Sequence, residues 1–192
     1  MLLYAALYAG FGVASPFLPA FVSGRGLSAE ELGLVLGAGT AVRLLTSPLA
    51  GRIGDLIEGL RIVLVVCTAL AACATLGLLP AQGFWMILPV MLLQAAALAP
   101  TTVLADALAL GNASPPAASG RRGFEYGWVR GTGSAAFIVG TLISGQAVGA
   151  FGLDAIVWSQ ALLLAPRHAR RSWCRRSCTG APRRPRARRR AA

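Results

Sequence analysis

Apolar residues run along this chain in blocks about twenty long with no polar face, the pattern of helices surrounded by lipid rather than wetted on one side. Residues 2–22 form the first block and carry no charge. Residues 32–51 form the second, broken only by Arg43, and residues 62–79 the third. The fourth covers 84–105, meets Asp106 and continues through Leu110, and the fifth covers 131–153. A sixth, 155–166, offers about 18 Å of helix against a hydrocarbon core of about 30 Å. The pattern predicts an all-α polytopic membrane bundle with five full transmembrane helices and a truncated sixth.

The connections carry their own signals. Ser28 followed by Glu31 is a capping box opening the second span. Pro80, Gln82 and Gly83 make a tight turn before the fourth. The stretch 111–123, rich in Asn, Ser, Pro and Gly and containing Arg121 and Arg122, reads as an exposed connection. Pro16, Pro19, Pro48, Pro89 and Pro100 punctuate the spans. Gly33-x3-Gly37, Gly127-x3-Gly131 and Gly145-x3-Gly149 offer small ridges for close helix packing in lipid.

Composition sharpens this picture. The chain is 56% hydrophobic and 13% charged, where a water-soluble domain carries about 25% charged residues. All 18 cations are arginine, so P-loop and Schiff-base lysine chemistry is excluded. The single histidine, His168, lies in the arginine-rich segment that follows the sixth block, and Cys67 and Cys73 read as small hydrophobes in a helix. No catalytic, cofactor or metal constellation is expected. Residues 1–166 are formally neutral, and the net charge of +11 belongs wholly to residues 167–192, which hold eleven arginines and no acid.

Charge placement orients the chain. A cytoplasmic N-terminus keeps Arg52, Arg61, Arg121 and Arg122 inside and leaves only Arg25 outside. Three charges remain within apolar blocks: Arg43, Asp106 and Arg130. Each costs about 2.5–3.5 kcal/mol at a helix centre, so such groups face a bundle interior or a watery cavity. Asp106 and Arg130 are expected at similar depth on consecutive helices, where pairing offsets desolvation. A structural ion pair and a substrate- or proton-handling pair are both open at this stage.

Between the second and third spans stands Gly51-Arg52-Ile53-Gly54-Asp55-Leu56-Ile57-Glu58-Gly59-Leu60-Arg61. It resembles the signature loop of the major facilitator superfamily, with Gly51, Asp55 and Arg61 on the motif, Leu56 in place of its arginine and Glu58 in place of a glycine. The segment Phe124-Glu125-Tyr126-Gly127-Trp128-Val129-Arg130-Gly131-Thr132-Gly133-Ser134-Ala135-Ala136-Phe137 is similar to the opening of the fifth helix in that superfamily's proton-coupled sugar and phenylpropionate symporters. The resemblance implies the N-terminal half of a twelve-helix secondary carrier over 1–166, in a bacterial-type inner membrane, moving a small organic solute with protons. It places Arg130 and Asp106 on the substrate or proton pathway with Glu125, and Gly51, Asp55 and Arg61 in a cytoplasmic gating loop. Arg43 joins the pathway residues on the cost of its charge. Such a half implies pairing with a second transporter half.

Residues 167–192 hold no Leu, Ile or Val and are expected to be disordered when free. Their Arg, Ala, Pro and Gly have GC-rich codons, and a reading-frame shift near position 166 is the expected origin. The carrier reading expects no nucleic-acid partner. The rival reading is a non-transporting membrane scaffold whose basic tail binds anionic lipid or nucleic acid, at about 1 kcal/mol per arginine beside an acidic headgroup layer.

Overall fold

A computed structural model describes residues 2–56, 60–113 and 126–165, and every regular element among them is an α-helix. In chain order they are α1 (Leu2–Ala14), α2 (Leu18–Ser23), α3 (Ala29–Leu56), α4 (Leu60–Gly77), α5 (Phe84–Ala113), α6 (Tyr126–Phe151) and α7 (Asp154–Leu164). Glu58, Arg121, Arg122, Glu125 and the arginine-rich segment 167–192 lie outside the described residues.

The apolar blocks do become helices, but the first is two helices rather than one. Pro16 has no N–H to offer the Gly12 carbonyl four residues back, and its ring crowds that carbonyl. The chain turns at Ser15–Phe17 and restarts as α2, with Pro19 in its first turn. The freed Gly12 carbonyl is not left bare, because Thr141 Oγ1 on α6 donates to it at 3.0 Å. A broken helix in lipid survives when a neighbour re-satisfies the backbone in this way. At the next boundary the capping box forms in full: the Ser28 N–H donates to Glu31 Oε2 at 2.8 Å and the Glu31 N–H to Ser28 Oγ at 3.3 Å.

Three helical stretches among the described residues are long and apolar enough to cross a bilayer: Ala29–Leu49, Phe84–Leu110 and Gly127–Phe151. Tyr4–Ala14, Ile62–Gly77 and Asp154–Leu164 are shorter apolar helices. Half of the α5 stretch is buried, against 6% of α3 and 11% of α6, so α5 is the central post. It packs on α3 and α4, α1 pairs with α6, and α7 lies against α1 and α4. Leu44, Leu45, Ile62, Leu142 and Leu162 are all more than 60% exposed. Side chains of that size facing outward over a whole belt demand an apolar solvent. Trp85 and Phe151 at one rim and Trp128 at the other, each more than 70% exposed, sit where aromatic belts meet the interface.

The α1–α6 contact is a backbone-to-backbone approach between parallel helices. A methyl group on Gly12 would collide with the Phe137 carbonyl, one on Gly140 with the Ala9 carbonyl, and one on Gly133 with the Tyr4 ring. These are not the glycines whose four-residue spacing predicts close packing. Gly33, Gly37, Gly127, Gly131 and Gly149 have open space where a side chain would go, and Gly145 meets only the Phe17 ring at ordinary contact distance. Spacing identifies a ridge, but the partner helix decides which ridge is used.

The rim where α1 ends is tied by Arg25. Its guanidinium lies 4.6 Å over the Phe21 ring and donates to the carbonyls of Leu78, Leu79 and Ala81 beyond the C-terminus of α4. It also pairs with Asp154 in the first turn of α7 at 2.9 Å. Unpaired carbonyls and negative dipole at one helix end, and a cation held against them, are complementary. Gly83 completes the tie: at φ 72° it closes the turn after α4 while its N–H donates to the Arg25 carbonyl.

Adding one methyl at Gly12 forces α1 and α6 apart, and overpacking of this kind costs about 1–3 kcal/mol. Gly12→Ala and Gly140→Ala are expected to lower the midpoint of thermal unfolding in detergent, while Gly131→Ala leaves it unchanged, as read by retention of the native peak on size exclusion.

Candidate functional site

Opposite the Arg25 rim, where α1 and α6 begin and α5 ends, four polar side chains meet. Asp106 lies seven residues from the end of α5, about 10 Å along the axis, and Arg130 four residues into α6, about 6 Å. α5 runs three residues past the Leu110 expected from sequence and α6 begins five residues before the expected 131, and their charges remain at neighbouring depths. Arg130 Nη1 donates to Asp106 Oδ2 at 3.2 Å. The other carboxylate oxygen, Oδ1, accepts from the Tyr4 hydroxyl at 2.7 Å.

Tyr4 and Tyr8 come from α1 and complete the cluster. Arg130 Nη1 reaches the Tyr8 hydroxyl at 3.4 Å and the Tyr4 hydroxyl at 3.5 Å. The two hydroxyls stand 3.3 Å apart, and the rings stack with centroids 4.6 Å apart. The four-residue spacing puts both tyrosines on one face of α1. Val129 and Ala105, buried beside Arg130 and Asp106, pack with Tyr4 and hold the three helices in register. The ion pair is open on one side, with 56% of the Arg130 side chain and 31% of Asp106 exposed.

Chemically this is a carboxylate with one neutral donor and one cationic donor, both within reach and one side free. It can exchange a proton, and a ligand bearing hydroxyl or carboxylate groups can compete for Arg130. Neither tyrosine follows from hydrophobic patterning, because an aromatic ring in an apolar block looks like core. The available signal was a pair of hydroxyls four residues apart in an otherwise apolar block.

The other residues singled out by sequence lie elsewhere. Arg43 is on α3, away from the tetrad, and lines a cavity of about 230 Å³ between α1, α3 and α5. It is exposed, and among the described residues no carboxylate pairs with it. Gly51 is half-buried near the end of α3 with open space at its Cα, Asp55 follows one turn later, and Arg61 is the second residue of α4. Glu125 is outside the described residues.

Comparison with known proteins identifies the class. The model of the MFS_1 like family matches residues 1–166. The chain therefore belongs to that family of the major facilitator superfamily, and is a multi-pass membrane protein of a transporter family. A curated relative, "Probable 3-phenylpropionic acid transporter" of Escherichia coli (strain K12), is 32% identical over 160 residues. The match covers 80% of this chain and 39% of the relative, so the chain spans well under half of that protein's length. No solved structure matches.

If the tetrad acts as a unit, its charges are coupled. Asp106→Asn and Arg130→Gln are each expected to destabilise the chain in detergent. The double variant should be less destabilised than the sum of the two, by about 0.5–1 kcal/mol for a partly exposed pair. Chemical denaturation followed by tryptophan fluorescence measures this coupling.

Proposed function

We propose that the chain is the N-terminal half of a secondary carrier that moves a small organic acid together with protons, with the tetrad of Tyr4, Tyr8, Asp106 and Arg130 on the pathway. The observation that carries this reading is an ion pair joined by two tyrosines from a third helix and left open on one side. A purely structural pair gains from closure on all sides, since desolvation is offset only when every lone pair and proton is used. An open one can exchange partners.

In this mechanism Asp106, when ionised, is held by Tyr4 and Arg130. Protonation of Asp106 weakens its hold on Arg130, whose guanidinium then takes the anionic group of the solute. Loss of the proton restores the internal pair and expels the solute's anionic group. Tyr8 keeps Arg130 positioned during the exchange. Carriers of this architecture rock two six-helix halves about a midplane site, so activity calls for a second half, as a separate chain or a second copy. The name of the E. coli relative supports an aromatic carboxylic acid as the kind of solute. Arginine placement supports a cytoplasmic N-terminus in a bacterial inner membrane, with α1 and α2 together forming the first of five full spans and α7 the described part of a sixth. Gly51, Asp55 and Arg61 belong in this reading to the cytoplasmic gating loop, and Glu125 to the entrance beside Arg130.

Grafting gives the direct test. A chimera carrying residues 1–166 in place of the matching part of the E. coli protein should take up 3-phenylpropionic acid with co-movement of protons. Asp106→Asn in that chimera is expected to lower proton-linked uptake at least tenfold and Tyr8→Phe severalfold. Uptake and proton movement undiminished by Asp106→Asn contradict the reading.

A further inference from the structure

The central helix α5 contains Pro89 and Pro100 and ends at neither. Pro100 has no N–H for the Ala96 carbonyl, and its ring crowds that carbonyl, so the helical ladder loses a rung there. Directly after it, Thr101 Oγ1 donates to the Leu98 carbonyl at 2.6 Å and Thr102 Oγ1 to the Ala99 carbonyl at 3.2 Å. Hydroxyls bonded back onto their own helix weaken and bend it. A missing rung and two carbonyls shared with hydroxyls fall within one stretch, residues 96–102, and make it a joint.

On one side of this joint α5 is fixed. Gln94 on α5, Thr75 on α4 and Gln160 on α7 are all at least 97% buried. Gln94 Nε2 donates to Thr75 Oγ1 at 2.9 Å and to Gln160 Oε1 at 3.2 Å. The Thr75 hydroxyl gives its own proton to the Ala71 carbonyl at 2.8 Å, so it must accept from Gln94, which fixes the orientation of both amides. Gln94 Oε1 and the Gln160 NH2 group remain for the cavity that both residues line. Pro89 lies between this amide chain and the rim where the Gly83 N–H donates to the Arg25 carbonyl, so α5 is held on both sides of that proline.

On the other side the packing thins. Thr101, Leu104 and Ala105 are buried, and beyond Ala105 no described side chain of α5 is. Asp106 ties this end to Tyr4 on α1 and Arg130 on α6. Gln94 and Asp106 thus stand six residues, about 9 Å, on either side of Pro100. One tie is buried and fully oriented, and the other is open and exchangeable.

We propose that α5 is a jointed lever: Pro100, Thr101 and Thr102 let residues 103–113 swing while residues 84–95 stay fixed to α4 and α7, so that opening the Asp106 tie moves that end of the helix. The proposal rests on the carrier reading, in which protonation of Asp106 opens the tie, and it names the positioning residues that turn this event into motion through Asp106. A bend of about 20° at the joint displaces Asp106 by about 3 Å and Leu110 by about 5 Å. The first is enough to part Asp106 from both partners, and the second is large enough to measure.

Pulsed electron paramagnetic resonance on the full chain in lipid nanodiscs, with the native cysteines replaced by alanine, tests this with two pairs of spin labels. Ile62→Cys with Leu110→Cys spans from α4 to the moving end, and Ile62→Cys with Met86→Cys spans from α4 to the fixed end; all three positions are exposed. Asp106→Asn is expected to shift the first distance by about 3–5 Å and to leave the second unchanged. Arg130→Gln opens the same tie from the other partner and should give the same shift, which guards against misfolding of either variant. Adding Pro100→Ala, or Thr101→Val with Thr102→Val, should cut the shift to less than half. A proline of purely structural use would change stability and leave this response alone. No shift in either tie variant, an equal shift in both label pairs, or a full shift in the presence of Pro100→Ala overturns the proposal. The carrier reading fails by a different result, proton-linked uptake that ignores Asp106→Asn, and the label distances are independent of that outcome.

Discussion

A charged side chain carried into hydrocarbon must find a partner, water or a ligand, and that requirement organises this bundle more than any apolar contact does. Lipid tails are as apolar as leucine, so burying leucine against leucine gives the helices little reason to associate in one arrangement. Polar demands are specific. Asp106 and Arg130 bring the end of α5 to the start of α6, and the tyrosines of α1 complete the junction. At the other rim Arg25 gathers the ends of α2, α4 and α7. Between them the Gln94–Thr75–Gln160 chain ties α4, α5 and α7. Each level of the bundle has one polar knot, and leucine and alanine fill the space around it.

The three knots differ in how completely they are used. At Arg25 three carbonyls, a carboxylate and an aromatic face surround one guanidinium that is 18% exposed, an arrangement suited to holding shape. The tetrad leaves Arg130 mostly open, and the amide chain leaves one donor and one acceptor toward a cavity that Arg43 also lines. One closed knot at the Arg25 rim and two open ones beyond it give the bundle a rigid rim and a reactive interior face.

Much of this was legible in the sequence where the signal was a charge in the wrong solvent. Asp106 and Arg130 stood out because nothing else in their blocks is ionised, and the capping box at Ser28 and Glu31 is local chemistry that needs no tertiary context. The break in the first block was under-read: Pro16 and Pro19 were visible, but whether a proline bends a helix or ends it depends on neighbours such as Thr141. The glycine ridges misled for the same reason, since Gly12, Gly133 and Gly140 are distinguished only by what approaches them. Tyr4, Tyr8, Gln94 and Gln160 escaped patterning because neutral polar residues scarcely disturb an apolar run. The rule they obey, that each buried hydroxyl or amide needs a partner, shows its result only when helices are brought together.

The account depends on the open polar groups facing water within the bundle while the large exposed hydrophobics face lipid. Substituted-cysteine labelling measures that directly, in a chain whose native cysteines are replaced by alanine. Ser134→Cys, one turn beyond Arg130, and Thr40→Cys, beside the cavity, should react with a membrane-impermeant methanethiosulfonate in lipid vesicles, while Leu142→Cys and Leu45→Cys react only with a lipid-soluble maleimide. Reaction of the impermeant reagent at positions 142 and 45, with positions 134 and 40 silent, contradicts the account.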